Sequence, residues 1–368
     1  MLLVEFNRLY LDFLARGGSW KQGDWLITLA AGPLRRGILG SAILWGADAL
    51  HIGPITAVVG LQALLLTVLV AGTLIGAWRF LGRPEMAALI LSPALFPVFW
   101  ANNPFGAERK ELIGFAAFAL VAVAQTRSKV PGALLALAVV VFLIGAFGHE
   151  ANALLAPAFA VMLWIAGRQK GVSGPGSLVL PALALAGSAA AIAYALRYSS
   201  VADVTPLCQP LIDRGLDPRF CDTGAIAWMD KDIAFGRAAV AGMLKTWPWQ
   251  GFFLVYLAAS APAIYAAWCC RGRRLLLGLF LLTGLAILPL YPVAMDWGRW
   301  LDLHMVSFTF LFLSLLLAGR VALQRPGRLT LVLPMLIAGL LWSPAHVYGI
   351  KIPILRTLLC PFLEACTQ

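Results

Sequence analysis

The sequence predicts an all-α fold, a polytopic transmembrane bundle of about 10–11 spans with an interfacial or re-entrant N-terminal helix on the outside. Three observations carry this. Of 368 residues, 61% are hydrophobic and only 12% are charged, and the mean hydropathy is +0.85; a water-facing surface cannot be built from that composition. Apolar runs recur along the chain, many of them near the roughly 20 residues needed to cross a hydrocarbon core. Lys and Arg concentrate in every second connection between those runs.

Taken in order, the spans run over 54–78, 86–101, 112–125, 131–147, 151–166, 177–196, 251–268, 275–293, 301–319 and 329–342. Pro93 and Pro97 fall inside the second, so that helix is expected to kink or break where neighbouring groups satisfy the freed carbonyls. The first division of the chain is an N-terminal segment over 1–53, the second a membrane domain over 54–350 with a long outside loop at 198–249, and the third a tail over 351–368.

Orientation follows from the positive charges, which are retained on the cytoplasmic side near span ends. Arg79 with Arg83, Arg127 with Lys129, Arg168 with Lys170, Arg271 with Arg273 and Arg274, and Arg320 with Arg325 and Arg328 mark five inside connections, offset only by Glu85. The alternate connections are then outside. Cys208 and Cys221 fall in the long outside loop and Cys360 and Cys366 in the tail, where an oxidising compartment allows two local disulfides. Cys269 and Cys270 lie at an inside boundary and read as small apolar residues. Residues 1–36 carry too many charges for a span or a cleavable signal peptide. If the stretch from Gly37 to Leu50 crosses the membrane, Arg35 and Arg36 are cytoplasmic; if it lies along the interface or re-enters, they are outside, and its length is nearer to that of an interfacial helix than to that of a span.

On that outside face the rare polar residues gather. One connection holds Glu108, Arg109, Lys110 and Glu111; the next holds His149, Glu150 and Asn152; a third holds Asp296, Trp297, Arg299, Trp300, Asp302 and His304. With Arg35 and Arg36, four remote segments place ionisable groups at one membrane level, where their default meaning is a site or pathway. Plainer roles stand beside each: lipid-phosphate contacts for Arg109, Lys110 and Arg299, a hydrogen-bonded hairpin for His149 and Glu150, and an i,i+3 ion pair for Asp296 and Arg299. His51 and His346 look incidental.

Several functions are excluded. The formal charge of +11 comes without basic blocks or stacking aromatic series, so nucleic acid is not an expected partner. No zinc-like ligand spacing, phosphate-cradling loop or nucleophile elbow is present, and neither a metal nor a cofactor is expected.

The order Gly23-Asp24-Trp25-Leu26-Ile27, Arg35-Arg36-Gly37-Ile38-Leu39-Gly40, Arg109-Lys110-Glu111, His149-Glu150 and Asp296-Trp297-Gly298-Arg299-Trp300 resembles bacterial polytopic proteins of surface polysaccharide assembly. These are the Wzy- or EpsG-like polymerases and the membrane glycosyltransferases of GT-C type. The resemblance implies a donor sugar linked to polyprenyl phosphate or diphosphate, taken from the outer side of the cytoplasmic membrane, with membrane lipid and other polysaccharide-assembly proteins as partners. It implies Arg35, Arg36, Arg109, Lys110 and Arg299 as diphosphate or glycan contacts, with Glu111 beside them. Glycosyl transfer also needs a base for the acceptor hydroxyl, for which Glu150, His149 and Asp296 are the candidates in that order; Trp297, Trp300 and Trp100 could stack on sugar faces. A transporter or flippase of the same lipid, or a non-catalytic scaffold, is the alternative.

Overall fold

The computed structural model describes residues 2–169, 174–324, 327–347 and 349–352. Lys170, Arg325, Cys360 and Cys366 lie outside the described residues, as does most of the 351–368 tail.

Helices α1 (Leu2–Leu14), α2 (Lys21–Trp25) and α3 (Gly37–Ala49) form the N-terminal segment. The membrane domain follows with α4 (Pro54–Ala77), α5 (Pro84–Ile90), α6 (Phe96–Asn102), α7 (Glu111–Gln125), α8 (Gly132–Gly148), α9 (Glu150–Ala153), α10 (Ala156–Gln169) and α11 (Val179–Arg197). The long loop carries α12 (Thr205–Ile212), α13 (Arg219–Asp222) and α14 (Ile233–Thr246). The chain then returns through α15 (Trp249–Trp268), α16 (Arg273–Ile287), α17 (Trp297–Leu317) and α18 (Leu329–Leu341). Among the described residues, strand pairing is confined to two short antiparallel ladders, Cys270–Arg271 with Ala322–Leu323 and Ser343–Pro344 with Ile350–Lys351.

This is a multi-pass, all-α membrane bundle. Among the described residues, five helices are long and apolar enough to cross a membrane, with mean hydropathy from 1.5 to 2.3: Pro54–Phe80, Gly176–Arg197, Trp249–Trp268, Arg273–Leu290 and Trp297–Leu317. Shorter apolar helices, including Glu111–Gln125 and Gly132–Gly148, pack among them. The expected kinked span is two helices, α5 and α6, separated by Leu91–Leu95. Ser92 Oγ donates to the Ala259 carbonyl at 2.8 Å, and Asn103 Nδ2 donates to the Phe99 and Pro344 carbonyls, both at 2.9 Å, so buried polar groups at the break and at the end of α6 find partners.

Two helices form the interior. α7 and α17 are buried on nearly every face, and small residues let their neighbours approach: a Cβ on Gly72 of α4 would lie 2.6 Å from that of Ala119 on α7. Phe118, Phe142 and Phe159 fill the space between α7, α8 and α10, with Phe142 and Phe159 stacked at 4.2 Å. Because α7 and α17 are screened from lipid by the other helices, they can begin with Glu111 and Arg299 without presenting charge to hydrocarbon.

The basic connections converge on one end of the bundle. Gln125 bonds Gln169 at 2.8 Å, Gln169 donates to the Leu317 carbonyl, the 270–271 strand pairs with 322–323, and Glu85 accepts from the Gly327 N–H at 2.9 Å. At the opposite end sits the N-terminal segment. Arg36, at the start of α3, bonds Glu150, while Asp48 near its other end pairs with Arg214 of the long loop at 2.7 Å. Both ends of α3 therefore stay at the same end of the bundle, and α3 does not cross it. Arg219 ties the same loop to α1 through the Ala15 and Gly17 carbonyls, and a disulfide joins Cys208 to Cys221. Cys269 and Cys270 are both buried.

Candidate functional site

The end opposite the basic connections holds a cavity of about 790 Å³. Its floor is a chain of charges drawn from four parts of the sequence. Glu150, at the first turn of α9, receives Arg36 through Nε at 3.0 Å and Nη2 at 2.5 Å, and Arg35 through Nη1 at 3.3 Å. Asp24 of α2, fully buried, sits 3.6 Å from Arg36 Nη1 and 3.4 Å from Arg109 Nε. Arg299 bonds Asp296 at 2.5 Å through Nη1, and Glu111 closely through Nη2.

Local backbone geometry sets these side chains in place. Arg36 and Glu108 both adopt left-handed φ, at 65° and 44°, a conformation that non-glycine residues hold only when their surroundings enforce it. Here the carbonyls are clamped: that of Arg36 accepts from Lys110 Nζ at 3.1 Å, and that of Glu108 from Trp25 Nε1 at 3.1 Å and Gln62 Nε2 at 2.8 Å. Asn152 holds the other side of this segment, donating to the Lys110 carbonyl at 3.0 Å; Gly114 makes the room, since a Cβ there would lie 2.3 Å from Asn152 Oδ1.

Of the residues expected at the site, Arg35, Arg36, Arg109, His149, Glu150 and Asp296 line the cavity, together with Arg299 and Trp300. Lys110 and Glu111 stand behind the wall and act through Arg36 and Arg299. Trp297 does not line it; its ring packs edge-on to Phe252 at 5.0 Å and its Nε1 donates to the Tyr291 carbonyl. Trp100 also lies elsewhere, bonded to Asp302 at 3.1 Å. His346, incidental by its sequence context, borders the cavity, and its backbone bonds Asn103 Oδ1 and the Arg299 N–H. Asp24 is the acid the residue-by-residue reading passed over. Its signal was a carboxylate next to Trp25-Leu26-Ile27, a run too apolar to leave it solvated.

The three candidate bases are not equivalent. Burial alone would raise the Glu150 carboxyl, but Arg36, His149 and Arg35 outweigh it and hold the group well below the usual carboxylate range. Glu150 is thus a weak base with both oxygens occupied. Burial, reinforced by Arg36, pushes His149 down to about 4; its Nδ1 accepts the Ala151 N–H at 3.1 Å, so the neutral ring carries its proton on Nε2, 3.8 Å from Glu111. Among the described residues Asp296 bonds Arg299 through Oδ2 alone, its side chain is 30% exposed, and the residue lines the cavity.

The cavity lining carries more cations than carboxylates. Six Lys or Arg side chains and three carboxylates line the cavity, and among the described residues Arg109 donates only its Nε, to Asp24. One wall is apolar, built by Ile192, Ala195 and Leu196 of α11 against Pro289, Leu290 and Val293. The fold and site together define a multi-pass helical membrane protein with an amphipathic, cation-lined cavity at one end. Comparison with family models, curated proteins and solved structures returns no match.

Proposed function

We propose that this chain is an integral-membrane glycosyltransferase or glycan polymerase that takes a sugar from a polyprenyl-phosphate or diphosphate carrier at the outer face of a bacterial cytoplasmic membrane. The observation that carries this reading is the pairing, in one cavity, of a guanidinium floor with an apolar wall, at the end away from the basic connections. A lipid-linked phosphate ester has that same division of charge and hydrocarbon. Guanidinium groups bind phosphate oxygens by charge-assisted hydrogen bonds without a metal, and Arg109 lines the cavity to do so.

In the reaction, an acceptor hydroxyl oxygen attacks the anomeric carbon and forms the new C–O bond. The bond from that carbon to the phosphate oxygen breaks, its electron pair leaving with the carrier phosphate. Asp296 receives the hydroxyl proton through Oδ1, while Arg109, Arg36 and Arg299 stabilise the departing charge. Glu150 is a positioning residue that fixes Arg35 and Arg36. The arrangement differs from the sequence-level order of candidates because two arginines occupy Glu150.

Purified protein supplied with a lipid-linked donor and an acceptor tests the assignment. Asp296→Asn should abolish transfer with donor binding retained, and Arg109→Gln should weaken donor binding by about 10- to 100-fold, the equivalent of ~1.5–3 kcal/mol. Unchanged transfer in both variants removes the site. A flippase using the same cavity would move the donor with no glycosidic bond formed.

A further inference from the structure

We propose that the rim of this cavity, built by α14 and its flanking loop, is a separate subsite for an acidic oligosaccharide. The inference rests on the glycosyltransferase reading, for which a growing or accepting glycan must lie next to the donor.

Three aromatic rings border the opening: Trp20, Trp228 and Phe235, and they remain 39%, 38% and 42% exposed. Trp228 meets Trp20 at 5.4 Å and Phe235 at 5.5 Å, in both cases edge to face. In each pair one ring presents its edge to the other, and the ring area that stays exposed suits the C–H faces of pyranose rings, which are apolar plates edged by hydroxyls. None of the three is among the floor residues, and Trp228 and Phe235 belong to the long loop outside the spans.

Charge adds the second element. The floor guanidiniums are engaged by Glu150, Asp24, Asp296 and Glu111. On the rim, Lys231 pairs with Asp230 at 2.7 Å and lies over the Phe235 ring at 5.5 Å. Asp232 is used as the cap of α14, accepting the Phe235 N–H at 2.8 Å. Arg237 lines the cavity and forms no ion pair or hydrogen bond among the described residues. It is held there by its neighbour: a Cβ on Gly236 would fall 2.2 Å from the Val293 carbonyl oxygen, so α14 sits directly on the backbone of the cavity wall. Aromatic rings beside a guanidinium that has no ion pair among the described residues favour a saccharide carrying carboxylate or another anionic substituent over a neutral one.

Binding of tetragalacturonate and of maltotetraose to the purified full-length protein tests this without any requirement for turnover. The acidic tetrasaccharide should bind at least tenfold more tightly. Arg237→Gln, a change at an exposed position, should reduce its affinity to the neutral level, and Trp228→Ala should weaken both. Equal binding of the two sugars, binding of neither, or a preference that survives Arg237→Gln overturns the proposal; binding of neither would assign the rings to lipid anchoring. The two readings fail separately: a lost preference with intact glycosyl transfer removes only the rim, whereas a retained preference in a protein that transfers no sugar supports the rim and removes the catalytic reading.

Discussion

Replacing Glu108 with Gln should flatten the pH dependence of stability. The Glu108 side chain is fully buried, with Lys21 Nζ at 2.5 Å from Oε2 and Glu5, itself 1% exposed, close by. With Glu5 and Asp12, Glu108 makes three carboxylates against two cations, Arg8 and Lys21. Burial raises the Glu108 carboxyl to about 8, with Glu5 adding to the rise and Lys21 opposing it. A carboxyl raised above its unfolded value takes up a proton on folding. Its protonated form is therefore most favourable below about 4.5, and stability falls as pH climbs through the window up to about 8, then levels. The slope from one such group is about 1.4 kcal/mol per pH unit, on the order of 5 kcal/mol across the window. Thermal unfolding of detergent-solubilised protein between pH 5 and 9 reads it as a falling Tm. Glu108→Gln should remove much of that slope and be the more stable protein at pH 9, because Lys21 keeps Asp12 at 2.8 Å. Identical slopes for the two proteins over pH 5 to 8 would refute the reasoning.

Three further outcomes are expected. Asp24→Ala leaves Arg36 and Arg109 without their shared buried carboxylate and should destabilise the fold by about 3–5 kcal/mol, measured by thermal or denaturant unfolding; a change within experimental error would show that Asp24 does not organise the floor. A cysteine placed at Ser128 should react with an impermeant thiol reagent only from the cytoplasmic side, and labelling of intact cells from outside would reverse the map. Cys208 and Cys221 should resist alkylation until the protein is reduced, and removing their bond, which closes a separation of 13 residues, should loosen the long loop by on the order of 3 kcal/mol; free reaction of both thiols in oxidised protein would contradict the pairing.

The long spans were legible because hydropathy is a local property. α4 and α17 can be read from their own residues. The placement of α3 was nearly legible from its 13-residue length, but the contact that excludes a crossing, Asp48 with Arg214, joins positions 166 apart and leaves no local trace. The same limit governs the site. Arg35, Arg36, Arg109, Glu150 and Arg299 stand out as ionisable groups in an apolar chain, so they could be named. Their pairing could not: Asp24 meets Arg109 across 85 residues and Glu111 meets Arg299 across 188. Pairing is what occupies both oxygens of Glu150 with arginines while Asp296 is bonded through Oδ2. His346 was passed over because a lone histidine near a chain end has no pattern, and only the turn packed against Gly298 brings it to the cavity. A Cβ on Gly298 would lie 1.8 Å from the Ala345 carbonyl oxygen.

The most direct test of the central claim is a product balance. Full-length protein reconstituted into vesicles is given a polyprenyl-diphosphate-linked sugar labelled in the sugar, together with an acceptor glycan, and the label and the carrier are followed together. Labelled glycan and free polyprenyl diphosphate should appear in equal amounts, and Asp296→Asn should stop both. Donor recovered chemically intact on the other side of the bilayer, with no glycosidic product at any time, would contradict the claim.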